Sequence, residues 1–311
     1  MTDTLTRILR DYAALIILIV LAVTLSIVSP NFLRPQNFLN ILNQNAPLLI
    51  IAVALTPVII AGGFDISTAS ILAVAGCSAA WLAAAGHPYL GIVLAPFIGL
   101  ALGIVNGLII TGFRVHAFLA TIATGMVFRG IAVRITDGQL ISARMEEFSW
   151  LGRGRIFDTV HIAVLVMIVC VAIIAFLLNR TAYGRYVFAV GGNEEAALLS
   201  GLPNRIVRIA TFAGVGMAAG IAGAITVSRT GQGQPLVGEG LEFDAIAAVI
   251  LGGTSVFGGE GAIWRTVVGV LLLALINNGF NLLNVDPFVK DITTGSVIIL
   301  AIALGAANRS R

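Results

Sequence analysis

The histidine, lysine and serine residues of this chain form no grouping that could carry out covalent chemistry. His87, His116 and His161 are far apart, and no H-x-x-H or H-E-x-x-H pair offers a metal site. No G-x-S-x-G turn presents a nucleophilic serine. A nucleotide-binding G-x-x-x-x-G-K-[ST] loop is also absent, since the single lysine, Lys290, lies in D-P-F-V-K-D without a glycine. We therefore predict that the chain is not an enzyme, and that it holds no metal and no cofactor of its own.

Two acids, Asp65 and Asp244, are the residues best placed to meet a polar solute in an otherwise apolar chain. Each lies near a short apolar stretch that a Gly-Gly pair interrupts. Glycine-interrupted spans in the two halves of a transporter indicate a substrate site, because their freed backbone groups require a cavity. The residues that we predict for a substrate pathway or gate are Gly62, Gly63, Asp65, Ser67, Asp244, Gly252, Gly253, Asn277 and Asn281.

Each of these features also has a structural alternative. Asp65 could serve only as the N-terminal cap of the next helix, where a carboxylate is favourable. The glycine-rich stretch Gly252–Gly261 could be a tight loop rather than a gate. Asn277, Asn278 and Asn281 lie within one apolar run, and Asn277 and Asn281 are four residues apart on one helix face. Their amides could bond another helix, which we favour, or a polar ligand such as a sugar hydroxyl.

A polar island, Thr181–Pro203, interrupts the apolar sequence in the middle of the chain. Asn193 followed by two glutamates is typical of a helix start, and Gly201 with Pro203 is typical of its end. The predicted helix has about seven residues, too few to be stable in water without a surface to pack on. Its middle, Ala196–Leu199, is small and apolar, so we predict that this helix docks on another protein and that the membrane segments move in response.

The composition predicts an all-α polytopic membrane protein with a single domain over residues 1–311. Of its 311 residues, 58% are hydrophobic and 11% are charged, whereas a soluble domain carries about 25% charged residues. Apolar runs long enough to cross a bilayer as helices recur along the chain, and we find no β-barrel alternation. The ten predicted spans are Tyr12–Val28, Pro47–Ala61, Ser67–Ala85, Leu90–Gly112, Ala117–Ile135, Ile162–Leu178, Ile206–Val227, Phe243–Gly252, Ile263–Leu283 and Val289–Ala307.

Three further features concern how the spans pack and face. A stripe of Gly99, Gly103 and Gly107 in the fourth span favours close helix packing over a role in substrate binding. Arg129 and Arg134, at the end of the fifth span, are expected to reach the membrane interface rather than to be buried functional charges. The second and eighth spans are short, and the eighth is too short to cross alone.

The basic residues predict the orientation of the chain. With the N-terminus in the cytoplasm, ten basic residues fall on the cytoplasmic side and six on the other, leaving aside the two arginines of the fifth span. We therefore expect both termini and the polar island in the cytoplasm, and the loops Thr136–His161 and Ser228–Gly240 outside. The arginines are scattered among the loops, so no nucleic-acid-binding patch is predicted.

Three motifs resemble the permease subunits of the ribose-type branch of bacterial ABC importers, which carry monosaccharides. G-G-F-D-I-S at Gly62–Ser67 is similar to the G-G-I-D-L-S of that family. Gly184–Gly201 resembles the cytoplasmic coupling loop of the family, G-R-x5-G-G-N-E-x-A-A-x-x-S-G. Glu242–Gly261 resembles the most specific of its motifs, E-x-D-A-I-A-A-V-x-x-G-G-T-S-x-x-G-G-x-G. The resemblance covers almost the whole chain.

The resemblance implies a homodimeric permease in the bacterial inner membrane, embedded in lipid. Its implied partners are a cytoplasmic ATPase that binds ATP and magnesium, and a sugar-binding protein outside the membrane. A monosaccharide such as ribose, xylose or galactose would move inward by alternating access. The coupling loop, about residues 180–205, would contact the ATPase through Gly191, Asn193, Glu194, Ala196, Ala197, Ser200 and Gly201. The alternative is an ion- or proton-coupled secondary transporter, for which Asp65 and Asp244 are the candidate relay groups.

Overall fold

The computed structural model of the chain describes residues 2–286 and, beyond them, residues 289, 292, 293, 295 and 296, with side chains described from Tyr12 onward. Most of the predicted tenth span, Val289–Ala307, therefore lies outside the described residues, as does Lys290. The helices are α1 (Thr2–Val28), α2 (Pro35–Ile60), α3 (Thr68–Ala84), α4 (Pro88–Phe113), α5 (Ala117–Thr136), α6 (Glu146–Arg153), α7 (Ile162–Arg180), α8 (Ala182–Gly192), α9 (Glu194–Leu199), α10 (Asn204–Thr230), α11 (Leu241–Leu251) and α12 (Ile263–Leu282).

Six of the described helices, α2, α4, α5, α7, α10 and α12, are long and apolar enough to cross a membrane. Two shorter apolar helices, the Tyr12–Val28 part of α1 and the whole of α3, accompany them. The prediction of an all-α membrane protein is confirmed, whereas the count of ten spans is not. Sheet structure in the described chain is limited to two pairs of two-residue strands: β1 (Ile141–Ser142) with β4 (Gln232–Gly233), and β2 (Arg155–Ile156) with β3 (Val160–His161).

The sequence analysis predicted a short second span, and this prediction is wrong. The helix α2 has 26 residues, begins at Pro35 and continues through two internal prolines, Pro47 and Pro57. Pro47 has no N–H, so the carbonyl of Asn43, four residues earlier, loses its helical partner. Arg229 of α10 replaces that partner, because its Nη1 donates to the Asn43 carbonyl oxygen at 2.9 Å. A membrane helix tolerates an internal proline when a neighbouring group satisfies the freed carbonyl in this way.

The core is built where α2, α3, α4 and α10 pack together. From Ala46 to Ile60 every residue of α2 is buried. The glycine stripe of α4 lies directly against α10, since a methyl group at Gly99 would overlap the Gly216 carbonyl and one at Gly103 would overlap the Phe212 carbonyl. The stripe thus serves helix packing, as its spacing predicts. Because Gly107 lies against Ile209, the two helices run antiparallel.

The two ends of α10 define the two ends of the bundle. At its N-terminus lies α9, so we call this the α9 end. At its C-terminus lies α6, where the Ser228 hydroxyl donates to the Phe148 carbonyl at 2.5 Å and accepts from the Gly152 N–H at 2.8 Å. The loop Thr136–His161 therefore contains a helix and packs on the α6 end rather than extending freely.

Candidate functional site

The polar island folds as two short helices rather than one. The sequence analysis missed α8, which spans Ala182–Gly192, whereas the predicted short helix is present as the six residues of α9. Its cap is as predicted, because Asn193 Oδ1 accepts from the Ala196 N–H at 2.9 Å. An asparagine cap contributes about 1 kcal/mol. Gly201, whose φ is +79°, turns the chain after the last helical residue, Leu199. The Leu202 N–H then donates to the Ala197 carbonyl at 3.1 Å.

The start of α10 holds α9 in place. Arg208 Nη2 lies 2.6 Å from Glu194 Oε2, and Asn204 Nδ2 donates to the Glu194 carbonyl at 2.9 Å. Ala197 is buried against the bundle. A helix of six residues is marginal alone, so these contacts with α10 fix its position.

The predicted coupling residues therefore divide into two groups. Asn193, Glu194 and Ala197 bond or pack within the chain. Ala196 and Ser200 are exposed, together with two leucines that the sequence analysis did not single out as site residues. Leu198 is 62% exposed and Leu199 is 83% exposed. Leu198 and Leu199 are thus neighbouring apolar side chains that pack little against this chain, and their place in a capped six-residue helix was the signal that could have identified them.

The three glycine-rich motifs of the sequence meet at the α9 end. The end of α2 is closed by Gly62, at φ +78°, and by Gly63, whose N–H donates to the Val58 carbonyl at 2.9 Å. The remaining α2 carbonyl, that of Ile60, accepts from the Gly259 N–H at 2.8 Å. Gly191 of α8 lies on the same carbonyl so closely that a methyl group there would overlap the oxygen. The coupling loop, the end of α2 and the loop that contains Gly258 and Gly259 thus meet at the Ile60 carbonyl.

Asp65 lies next to this contact but faces a different group of residues. It is fully buried, and its Oδ1 accepts from the Ser67 N–H at 2.8 Å and from the Ser67 hydroxyl at 2.6 Å. The same hydroxyl accepts from Asn106 Nδ2 of α4 at 2.7 Å. Thr121 of α5 accepts from the Ile66 N–H at 3.1 Å. Asp65 therefore holds Ser67 at the start of α3, and Ser67 and Ile66 bond α4 and α5. The residue at the N-cap of α3 is Ser67 rather than Asp65.

The segment from residue 231 to residue 240 does not lie outside the bundle as an outer loop. It follows α3 inward, with Gly233 against Ala80 and Gly238 against Leu72. Non-helical backbone at such a position needs donors for its carbonyls. Arg129 supplies them: its Nη1 donates to the Pro235 carbonyl at 2.6 Å and to the Val237 carbonyl at 3.3 Å. We call residues 231–240 the re-entrant segment, because it turns from the end of α10 back into the bundle along α3.

The re-entrant segment leads into α11, a helix of only 11 residues that carries Asp244 in its first turn. At its other end, Gly252 packs on the Arg265 carbonyl of α12, and Gly253 turns the chain at φ +94°. The eighth span is therefore a half-length helix preceded by a bonded non-helical segment. Arg129 is half-buried and occupied with these carbonyls, so the prediction that it reaches the interface is wrong. Arg134 is exposed and pairs with Asp137.

The comparisons with known proteins identify the family. Residues 37–302 match a family described as a branched-chain amino acid transport system / permease component. The chain belongs to this permease family. It is 40% identical over 290 residues to the ribose import permease protein of Bacillus subtilis, covering 92% of this chain and 90% of that protein. For the ribose import permease protein of Escherichia coli K12 the identity is 38% over 299 residues, covering 94% and 93%.

A third relative is named as an ABC transporter permease for L-arabinose, from Azospirillum brasilense. It is 36% identical over 296 residues, covering 95% of this chain and 87% of that protein. No solved structure shows a significant match to the chain. The permease is therefore a multi-pass inner-membrane component of an ABC importer, which works with an ATPase and a substrate-binding protein, and it is not an enzyme. The alternative of an ion- or proton-coupled secondary transporter is not supported.

One of the three asparagines of α12 in the permease bonds another helix. The helix–helix amide bond is made by Asn278, which exchanges two hydrogen bonds with Asn37 of α2 at 2.9 and 3.1 Å. Asn277 is half-buried, whereas Asn281 is exposed. The two predicted residues are thus not the ones that tie α12 to α2.

The predicted pathway residues are spread over the bundle rather than gathered at one point. Gly62 and Gly63 lie at the end of α2, beside the buried Asp65 and Ser67. Asp244 lies at the far end of α11 from Gly252 and Gly253. Both cysteines are free, Cys77 buried and Cys170 half-buried, in keeping with packing residues.

Proposed function

We propose that the chain is the membrane-spanning permease subunit of an ATP-driven importer of a monosaccharide. The observation that carries the proposal is the similarity, at 36–40% identity over at least 92% of this chain, to permeases named for ribose and L-arabinose. The sugar moves inward by alternating access, and a separate ATPase supplies the energy. That ATPase binds the ATP and magnesium, because this chain has no phosphate-binding loop.

The geometry supports α9 as the surface that the ATPase contacts. Its exposed residues, Ala196, Leu198, Leu199 and Ser200, form the contact. Asn193 caps the helix, Glu194 pairs with Arg208 of α10, and Ala197 is buried against the bundle. Gly201 ends the helix, and Gly191 joins α8 to α2. An apolar, largely exposed pair such as Leu198 and Leu199 gains most from burial in an interface.

The substrate pathway follows the re-entrant segment and α11. A half-length helix with non-helical backbone before it is the arrangement in which transporters bind solutes. Asp244, in the first turn of α11, and Asp65, buried in the loop before α3, are the acids of this route. Gly252 and Gly253 form its gate, with Asn277 and Asn281 of α12 as further polar groups.

The permease is a single transmembrane domain with about ten spans and both termini in the cytoplasm. The excess of basic residues on one side supports this orientation. In this topology the re-entrant segment and α11 together make the eighth crossing, which α11 is too short to make alone. The permease works as a homodimer surrounded by membrane lipid.

The function is tested by purifying the tagged chain with its membrane partners and reconstituting the complex in lipid vesicles. Uptake is measured with radiolabelled ribose, L-arabinose and leucine, because the family description names branched-chain amino acids and the relatives are named for sugars. We expect ATP-dependent uptake of one of the two sugars. Uptake of leucine alone, or sugar uptake that a proton gradient drives without ATP, would contradict the proposal.

A further inference from the structure

The contact between α8, α2 and the loop before α12 is made by backbone alone. We call it the glycine junction: the Ile60 carbonyl, Gly191, Gly258 and Gly259. The Gly259 N–H donates to the Ile60 carbonyl at 2.8 Å. A methyl group at Gly258 would lie 2.9 Å from the Gly191 carbonyl oxygen and 3.0 Å from that of Ile60. Both loop glycines have positive φ, +84° and +77°, so a side chain at either would also strain the backbone.

Three elements of the permease meet at the glycine junction: α8, the end of α2 and the loop before α12. Gly191 lies two residues before Asn193, which caps α9, so it is close in sequence to the helix that contacts the ATPase. Ile60 ends α2, whose residues from Ala46 to Ile60 are all buried. Gly258 and Gly259 belong to the loop that follows the half-length α11 and precedes α12. Gly259 donates a hydrogen bond to the Ile60 carbonyl oxygen, and Gly191 and Gly258 pack against the same oxygen.

A contact of this kind transmits displacement. Side chains can absorb a small shift by changing rotamer, but backbone packed on backbone has no rotamer to change. A movement of α8 and α9 toward α2 must therefore displace the end of α2, and the hydrogen bond from Gly259 to Ile60 carries the loop with it. The bond lies inside the bundle, and leaving its carbonyl without a partner costs about 1–3 kcal/mol.

We propose that the glycine junction couples the ATPase-contacting helix to the substrate gate, with Gly259 and Gly191 as its positioning residues. The inference rests on the proposed function and deepens it. When the ATPase shifts α9, the junction moves the end of α2 and the start of α12 together, and α11 changes its tilt against them. The pair Gly258 and Gly259 then transmits the movement to α12 in addition to forming a turn.

The test compares Gly259→Ala and Gly191→Ala with the control Gly138→Ala in the reconstituted complex. Gly138 also has a positive φ, +72°, but no atom lies within 4 Å of a methyl group there, so this variant carries the strain without the contact. Two quantities are measured: the sugar transported per ATP hydrolysed, for the sugar that the wild-type complex takes up, and the amount of ATPase that co-purifies.

We expect the two junction variants to keep the ATPase but to transport at least about fivefold less sugar per ATP, the lower range of allosteric coupling. The control should match the wild type. The double variant Gly191→Ala with Gly259→Ala should lose less than the product of the single losses, because both act on one carbonyl. Unchanged sugar per ATP in folded junction variants would overturn the inference, whereas a wild-type complex without sugar uptake would overturn the proposed function instead.

A measurement on the wild-type complex covers the case in which the variants fail to fold. Amide hydrogen exchange is followed in the peptide that contains Gly259, without nucleotide and with ATP trapped by vanadate. We expect the protection of this peptide to change between the two states, and that of the peptide around Gly138 to stay constant. Equal protection of the Gly259 peptide in both states would contradict the inference.

Discussion

Leu198 and Leu199 show how neighbouring residues of one short helix divide their tasks. Asn193, Glu194 and Ala197 bond the helix to itself and to α10, so substituting them alters the helix before it alters any partner. The two leucines contact little of this chain, with 62% and 83% of their surface exposed. A substitution at Leu199 therefore tests the interaction with the ATPase most directly.

We predict that Leu199→Glu abolishes co-purification of the ATPase. The change places a charge in the centre of an apolar contact, and the loss of such an interface residue costs about 2 kcal/mol or more, which is over tenfold in affinity. The measurement is the amount of ATPase retained by the tagged permease. The control is Leu140→Glu, an exposed leucine at the α6 end, which should retain the ATPase. Normal retention by Leu199→Glu would show that α9 is not the docking surface.

At the scale of the helix, α2 depends on α10 for its continuity. Pro47 leaves the Asn43 carbonyl without a helical partner, and Arg229 binds that carbonyl and, at 3.3 Å, the next one. Arg229 is itself held in place from α6, because Arg153 Nε donates to its carbonyl at 2.7 Å. The first half of α2 is thus stabilised by the side chain of Arg229, which is far away in sequence.

We predict that Arg229→Ala lowers the thermal stability of the purified permease and that Pro47→Ala restores it. The single change leaves a carbonyl unsatisfied, at a cost of about 1–3 kcal/mol. Alanine at position 47 restores the N–H that closes the helix on Asn43. The midpoint of thermal unfolding in detergent measures both effects. The matched control is Pro57→Ala in the Arg229→Ala background, which should not rescue, because Pro57 lies far from this carbonyl. Equal rescue by both prolines would contradict the mechanism.

The sequence predicted those elements whose signal is local. The cap of α9 depends on Asn193 and its following turn, and the close packing of α4 depends on a glycine every fourth residue, so both could be predicted. The start of α2 could not, since Asn-rich and proline-containing sequence is typical of a loop until Arg229 supplies the missing donor. The re-entrant segment was hidden for the same reason: its glycines predict a surface loop, whereas Arg129, about a hundred residues earlier, and the strand β1 stabilise it inside the bundle.

The three glycine-rich motifs were found separately in the sequence, and their meeting at the Ile60 carbonyl was not predicted. No periodicity within a single segment indicates that Gly191 and Gly259 share an acceptor, because the contact joins segments distant in sequence. Asn278 shows the same limit within one helix. Three asparagines in α12 looked equivalent by type, and the position of Asn37 on α2 decides which of them is bonded.

At the scale of the whole molecule, the bundle has two chemically different ends joined by α10. The α9 end presents a capped helix with exposed leucines, and the glycine junction lies behind it. The α6 end presents a small helix and the hairpin formed by β2 and β3, whose tip residue Phe157 is 92% exposed. A partner bound at one end would therefore not contact a partner bound at the other.

We predict that these two ends lie on opposite sides of the inner membrane, with Leu199 in the cytoplasm and Phe157 outside. Between them the chain has one helix long enough to cross, α7. Phe157→Cys and Leu199→Cys are made separately in a background in which Cys77 and Cys170 are replaced by alanine, and each is treated with a membrane-impermeant maleimide. Phe157→Cys should be labelled in intact spheroplasts, and Leu199→Cys only after the membrane is permeabilised. The reverse pattern would contradict the orientation that the arginines predict, and labelling of both in intact spheroplasts would mean that α7 does not cross.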